Sequence, residues 1–329
     1  MWPSRPEGIV KAKATTRSGR ARGVRGEGLP EQPDLWETVA AVRFRSEKRM
    51  RSKVVVITGG TSGIGEVAAQ RLANMGARIV LVARDKTRGE ATMTRLRSGN
   101  ASLAHSVYYG DLSRLSEMKR LATEIAAAEP RIDVLINNAG AMFGSRQMTE
   151  DNLERTFAVN HMAYFVLTLG LRERLFASSP ARVVITASDA HKGRTLDFDD
   201  LQSTRGFGGI KVYGRSKLCN ILFTRELARQ WSGAGVAVNC LHPGFVATRF
   251  GDSSGGFRSR AVRLARIFAI SPEKGAETIV YLASSPDVAG VSGEYFYQCR
   301  PATPTAEARD DAAARRLWIA SAKLAGIEV

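Results

Sequence analysis

The stretch Lys53-Val-Val-Val-Ile-Thr-Gly-Gly-Thr-Ser-Gly-Ile-Gly65 decides how the rest of the chain is read. Val54 to Ile57 are a continuous β-branched run, the pattern of a strand buried on both faces of a parallel sheet. Glycines then interrupt it, and the Ala-rich segment from Glu66 to Asn74 reads as a helix. Gly59, Gly63 and Gly65, with Thr61, Ser62 and Ile64 between them, form a turn whose backbone N–H groups can approach a ligand closely. A helix N-terminus facing such a turn suits phosphate. The spacing is Gly-x-x-x-Gly-x-Gly, which departs from the Gly-x-Gly-x-x-Gly fingerprint, so plain punctuation stays open at this point.

Outward from this unit the pattern repeats. Ala77 to Ala83 is a second apolar run ending at Arg84-Asp85, followed by a helical segment from Lys86 to about Arg97. At the end of such a strand an acidic residue would hold a ribose 2′-OH, whereas an arginine accommodates a 2′-phosphate, so Arg84 points to NADP(H) over NAD(H). Asp85 is either that acidic residue or, as we read it, the N-cap of the next helix. Ala104 to Tyr109 is a third strand. Asp111 and Leu112 follow it, Asp111 against an adenine ring, as an N-cap for a helix from Arg114 to Ala128, or both. Ile132 to Ile136 is a fourth strand, delivering Asn137, Asn138, Ala139 and Gly140 to the edge where open α/β sheets bind ligands. A doubly wound, mostly parallel, Rossmann-like α/β sheet follows from this alternation.

A long helix is expected between about Asp151 and Phe176, with Asn160 among its apolar residues, as a satisfied core amide or part of a site. Arg182 to Ser188 is a fifth strand delivering Ser188. After a polar insertion from Asp189 to Val212, Tyr213 and Lys217 stand at i and i+4 on one face of a helix reaching about Trp231. Ala234 to Leu241 is a sixth strand ended by His242-Pro243-Gly244. A helix from Pro272 to Ala283, a last strand at Gly293 to Tyr297 and a closing helix over 306–325 complete a single domain over 50–329.

Length and charge bound the alternatives. The 329 residues carry a net charge of +16, of which +6 lies in residues 1 to 52, so the body is moderately basic. That fits an anionic cofactor as well as a polynucleotide. Residues 1–49 read as a basic, largely disordered tail, with a short helix over 34–46 as one reading, and Met50 standing where a compact version of the domain would begin. Cys219, Cys240 and Cys299 follow no disulfide or zinc spacing, and the four histidines form no metal spacing, so no metal is expected. The cysteines favour a reducing cytoplasm. No run reaches the roughly 18 apolar residues of a membrane span, and a soluble protein is expected.

Taken in order, the Gly-rich turn, Asn-Asn-Ala-Gly, Asn160, Ser188 and Tyr213-x-x-x-Lys217 resemble the short-chain dehydrogenases/reductases. Ala190-His191, Phe198 to Leu201, Ser216 to Asn220 and Leu222 to Leu227 resemble the retinol-dehydrogenase-like branch, which also includes protochlorophyllide-reductase-like enzymes. The resemblance implies an oxidoreductase interconverting alcohol and carbonyl on a small, fairly apolar molecule. It gives Tyr213 the role of general acid and base, with Lys217 lowering its pKa, Ser188 holding the substrate oxygen and Asn160 a relay water. It also implies cofactor contacts at Pro243, Gly244 and Thr248, a substrate cover over 249–270, and association as a homodimer or tetramer through the helices near Asn160 and Tyr213. Two rival readings are a silent NADP-binding regulator, against which the complete Tyr213, Lys217, Ser188 and Asn160 set argues, and nucleic-acid binding through the tail.

Overall fold

The computed structural model describes residues 50–99, 102–244 and 270–329. The basic tail, its short helix, Thr248 and the cover segment except Ile270 lie outside the described residues. Eight strands form one sheet in the order β3-β2-β1-β4-β5-β6-β7-β8. They are β1 (Val54–Thr58), β2 (Arg78–Ala83), β3 (Ser106–Tyr109), β4 (Val134–Asn137), β5 (Ala181–Thr186), β6 (Val236–Leu241), β7 (Tyr295–Tyr297) and β8 (Arg300–Pro301). All neighbours run parallel except β7 and β8. The two-residue β8 was not foreseen, since Arg300-Pro301 has no apolar pattern and pairs only because Gln298 and Cys299 turn the chain back with positive φ.

Successive side chains on a strand point to opposite faces, and β1 shows what that does. Val55 and Ile57 pack with α1 (Gly63–Asn74), α2 (Lys86–Gly99) and α8 (Pro272–Ser284), through Leu72, Leu96 and Ile279. Val56 faces the opposite cluster, built by α3 (Leu115–Ala128), α5 (Ala163–Gly170), α7 (Gly209–Gln230) and α9 (Asp311–Ala325). Each face is an apolar core. The chain winds from β1 toward β3 on one side and toward β7 on the other, so the reversal lies between β1 and β4, where open sheets place their ligand crevice.

Several boundaries differ from expectation for local reasons. The single helix expected over Asp151 to Phe176 is instead α4 (Arg155–Phe157), a π turn at Ala158–Met162, α5, and α6 (Arg172–Phe176). It starts late because the buried Glu154 caps it, accepting from the N–H groups of Thr156 and Phe157 at 3.0 and 2.8 Å. Asp111 is not the cap of α3: it accepts from Ser113 N–H at 3.0 Å, and Asp151, distant in sequence, accepts from Leu115 N–H at 2.8 Å. Asp85 does cap α2, accepting from Arg88 N–H at 2.9 Å. The α7 helix begins at Gly209, four residues before Tyr213, and the closing helix begins at Asp311, capped by Asp310 after a short 3-10 turn.

Candidate active site

Three loops meet at the reversal point. At the end of β1, Gly59 and Gly63 have φ of +68° and +58°, and Gly65 lies so close to its neighbours that an added Cβ would fall 2.4 Å from Gly59 O and from Asn138 Nδ2. Only glycine tolerates that approach. Ser62 stands at the N-cap of α1, but its hydroxyl makes no capping bond. The first-turn N–H groups flanked by Thr61, Ser62 and Ile64 therefore have no side-chain acceptor from Ser62, which suits a pyrophosphate.

The second loop follows β4. Thr58 Oγ accepts from the N–H groups of Asn138 and Ala139, both at 3.0 Å. Asn138 Nδ2 donates to Thr58 O and Gly59 O, each at 3.2 Å, and its Oδ1 accepts from Thr186 Oγ at 3.3 Å. The Asn138 side chain is thus committed to tying the ends of β1, β4 and β5 together. A ligand contact expected there has only the backbone of Asn138, Ala139 and Gly140 to use. Thr58 and Thr186 were missed because a threonine ending a strand carries no signal apart from its neighbours.

On the β2 side, Arg84 is exposed at the strand end, and Arg88, which sequence reasoning passed over, donates to Thr61 O at 3.3 Å across the mouth of the Gly-rich turn. The Arg88 guanidinium therefore flanks the turn, with Arg84 exposed at the end of the neighbouring strand, while Asp85 is occupied in capping. Asp111 and Leu112 lie beyond β3, Leu112 buried and Asp111 held in its own turn.

The third loop and α7 carry the titratable groups. The Ser188 side chain lies beside Tyr213 and favours its ionised form. Ser188 Oγ accepts from Ala190 N–H at 3.2 Å, which leaves its own proton free for the Tyr213 oxygen. Lys217, one turn along, is 2 % exposed and donates from Nζ to Thr186 O at 2.9 Å. Its Nζ lies 5.6 Å from the Tyr213 ring centre, and a Cβ on Gly140 would come within 3.6 Å of it. The Asn-Ala-Gly turn thus abuts the Tyr–Lys pair. Asn160, at the middle of the π turn, is fully buried. Its Oδ1 accepts from Ala141 N–H at 2.8 Å, while Nδ2 donates to Ala141 O and Ser216 Oγ at 2.9 Å. Its amide is hydrogen-bonded through both ends. It clamps the loop after Gly140 onto α7.

Electrostatics correct one expectation. Burial pushes the Tyr213 phenol up to about 12, with only Ser188 pulling it down. Burial also lowers Lys217 to about 7. The lysine does not depress the phenol in this state because, stripped of water, it is itself barely held in its charged form near neutrality. Further along the edge, Gly244, with φ +89°, donates to His242 Nδ1 at 3.1 Å beside the half-exposed Pro243.

The short chain dehydrogenase family model matches residues 53–256. This chain is a short-chain dehydrogenase/reductase. Among its relatives are retinol dehydrogenase 13 of Homo sapiens, 39% identical over 289 residues with 86% of this chain and 87% of the human protein covered, and retinol dehydrogenase 14 of Mus musculus, also 39% identical, with 84% and 87% covered. They place it in the retinol-dehydrogenase-like branch. A solved structure of an uncharacterised protein from Mycobacterium paratuberculosis shares the fold with a TM-score of 0.67 at 30% identity, over 84% of this chain and 95% of that one. The chain is accordingly an oxidoreductase of alcohols and carbonyls. Among the described residues no helix is long and apolar enough to cross a membrane, and no group of three His, Cys, Asp or Glu is placed to hold a metal ion.

Proposed function

We propose that this short-chain dehydrogenase/reductase is NADP-dependent, acts on a fairly apolar aldehyde, ketone or alcohol, and uses Tyr213 as its general acid and base. The observation that carries the reading is Tyr213 with Ser188 beside it and the buried Lys217 5.6 Å from its ring centre, against the Gly140 turn. The glycine turn fits a dinucleotide: Gly59 and Gly65 let it pack against Ala139 and Asn138 where a Cβ would collide, and the Ser62 hydroxyl makes no cap at the helix N-terminus it faces. Arg88 beside Thr61 and the exposed Arg84 at the end of β2 favour a 2′-phosphate. A protein from Beutenbergia cavernae, 27% identical with a TM-score of 0.63 over 76% of this chain and 97% of that one, was solved with NADP bound at low occupancy.

When bound, the reduced nicotinamide supplies the hydride. The chain's own work is the proton. In reduction Tyr213 gives its O–H proton to the substrate oxygen as negative charge develops there, and the Ser188 hydroxyl donates to the same region. A phenol held near 12 stays protonated through the physiological range, so the resting state is set for donation. Oxidation needs the phenolate, which a protonated Lys217 would favour. Asn160 acts as a positioning residue: both Nδ2 protons and one Oδ1 lone pair clamp the loop after Gly140 onto α7, and the second Oδ1 lone pair remains for a relay water. The three free thiols fit a reducing compartment such as the cytoplasm.

The names of the relatives make all-trans-retinal and all-trans-retinol the first substrates to try, beside a panel of apolar aldehydes and ketones. Turnover with NADPH, reduced about a hundredfold or more in Tyr213→Phe with cofactor binding kept, is the expected result. NADPH binding with no turnover of any panel member would favour the silent binder instead.

A further inference from the structure

Ser188 is held by a residue that the proton chemistry does not use. His191 is wholly buried, three residues on, at the end of the 3-10 turn Asp189–His191. Its Nδ1 lies 2.7 Å from Ser188 O, which also accepts the His191 backbone N–H at 3.2 Å. Its Nε2 lies 3.4 Å from the backbone N–H of Thr305, in the segment between β8 and α9. A carbonyl can only accept and an N–H can only donate, so these partners select one tautomer: proton on Nδ1, lone pair on Nε2. Burial lowers the ring's pKa and keeps it neutral, as the two bonds require.

The same turn is fastened twice more to the far edge of the sheet. The His191 ring stands edge-on to Tyr295 of β7 at 5.4 Å between centres, and the Tyr295 hydroxyl donates to Asp189 Oδ1 at 3.3 Å. Ala190 N–H, within this turn, is the donor that orients the Ser188 hydroxyl toward Tyr213. We propose that His191 is a positioning residue of the reaction: it locks the 188–191 turn to Thr305, so that the Ser188 hydroxyl points at the Tyr213 oxygen. This rests on the Tyr213 and Ser188 roles proposed above. It also makes the segment carrying Thr305, through His191, a determinant of Ser188 alignment from outside the substrate cleft.

The two nitrogens can be tested separately. An asparagine amide nitrogen sits near the place of Nδ1 and keeps a donor to Ser188 O. A glutamine reaches toward Nε2 and keeps an acceptor for Thr305 while losing the first bond. A leucine loses both. The charged and titratable groups around the pair are Lys217 and Tyr164 beside Tyr213, and Asp189, Lys192, Glu307 and His242 around His191. None of them is altered.

The experiment measures kcat, KM and the pH profile of NADP-linked oxidation of all-trans-retinol or the best panel alcohol, with Tyr213→Phe alongside. NADPH binding and thermal melting are followed for each variant. His191→Leu and His191→Gln should lose about tenfold in kcat at little change in NADPH affinity, and their rising pH limb should move to higher pH as Ser188 stops favouring the phenolate. His191→Asn, which keeps the donor to Ser188 O but loses the tie to Thr305, should lose rate and shift its pH limb in the same direction. An Asn variant with the wild-type rate and profile, or a Leu variant that loses rate with its pH limb unmoved, would overturn the proposal. An ultraviolet difference titration of Tyr213, wild type against Tyr213→Phe in each His191 background, reads the same shift without turnover, and no shift there overturns it too. A fully active Tyr213→Phe would instead strike at the underlying mechanism.

Discussion

Lys217 shows how much a single residue's chemistry depends on its burial. In an unfolded chain a lysine ionises at roughly 10.4, and in the fold it is lowered to about 7. Between those values the unfolded chain binds more protons than the folded one, so stability of the cofactor-free protein rises with pH through that window. Cys219 and Cys240, raised to about 12 by burial, act in the opposite sense above pH 9. The usable window is therefore pH 7 to 9. Urea melts across it should give a smaller rise for Lys217→Met than for wild type, and equal slopes would mean that Lys217 stays protonated. At the β2 edge, Arg84→Ala with Arg88→Ala should weaken NADPH binding by roughly ten- to a hundredfold, as expected for losing charge-assisted hydrogen bonds. NADH binding should barely move. Equal losses for both cofactors would mean that the arginines do not read the 2′-phosphate.

Among the elements, α9 has the clearest consequence. Trp318 packs 5.2 Å from Phe165 on α5 and 6.1 Å from Phe223 on α7, and Ser321 Oγ bonds His161 Nε2 at 2.8 Å inside the same core. Trp318→Ala should cost about 3–5 kcal/mol, as for other large aromatic residues cut back in cores. Denaturant melts at fixed pH would measure it, and a loss under about 1 kcal/mol would show that α9 is only loosely attached. The polar insertion Asp189 to Val212 is pinned by its own hydrogen bonds. Asp200 accepts from the N–H groups of Thr204 and Arg205 at 2.7 and 2.9 Å, and the cavity beneath it, lined by Phe157, Leu196 and Val212, is only about 10 Å³. No small-molecule substrate fits there.

At the scale of the whole molecule, the face through which association was expected is covered from within, because α9 lies on α5 and α7 in the same chain. A partner using those helices would have to displace it. Sedimentation of the purified chain should show no homodimer that depends on Phe165 or Phe223, and a dimer abolished by Phe223→Ala in a still-folded protein would contradict this. The alternation of strands and helices, the glycine cradle and the Tyr213–Lys217 spacing were all legible in the sequence, because each depends on residues near one another in the chain: β-branched runs, a turn that only glycine can make, one helical turn. Asp85 was legible as a cap for the same reason. The commitments of Asn138 to Gly59 and Thr186, of Asp151 to α3, of His191 to Thr305 and of Asn160 to Ala141 and Ser216 were not. Each joins groups that only the folded sheet brings together, and a buried polar group takes whatever partner the fold puts within about 3 Å. The sequence by itself determined the fold class and pointed to the side chains proposed to react. Tertiary structure alone decided which of them are free to react, since burial sets their pKa values and spends their hydrogen bonds.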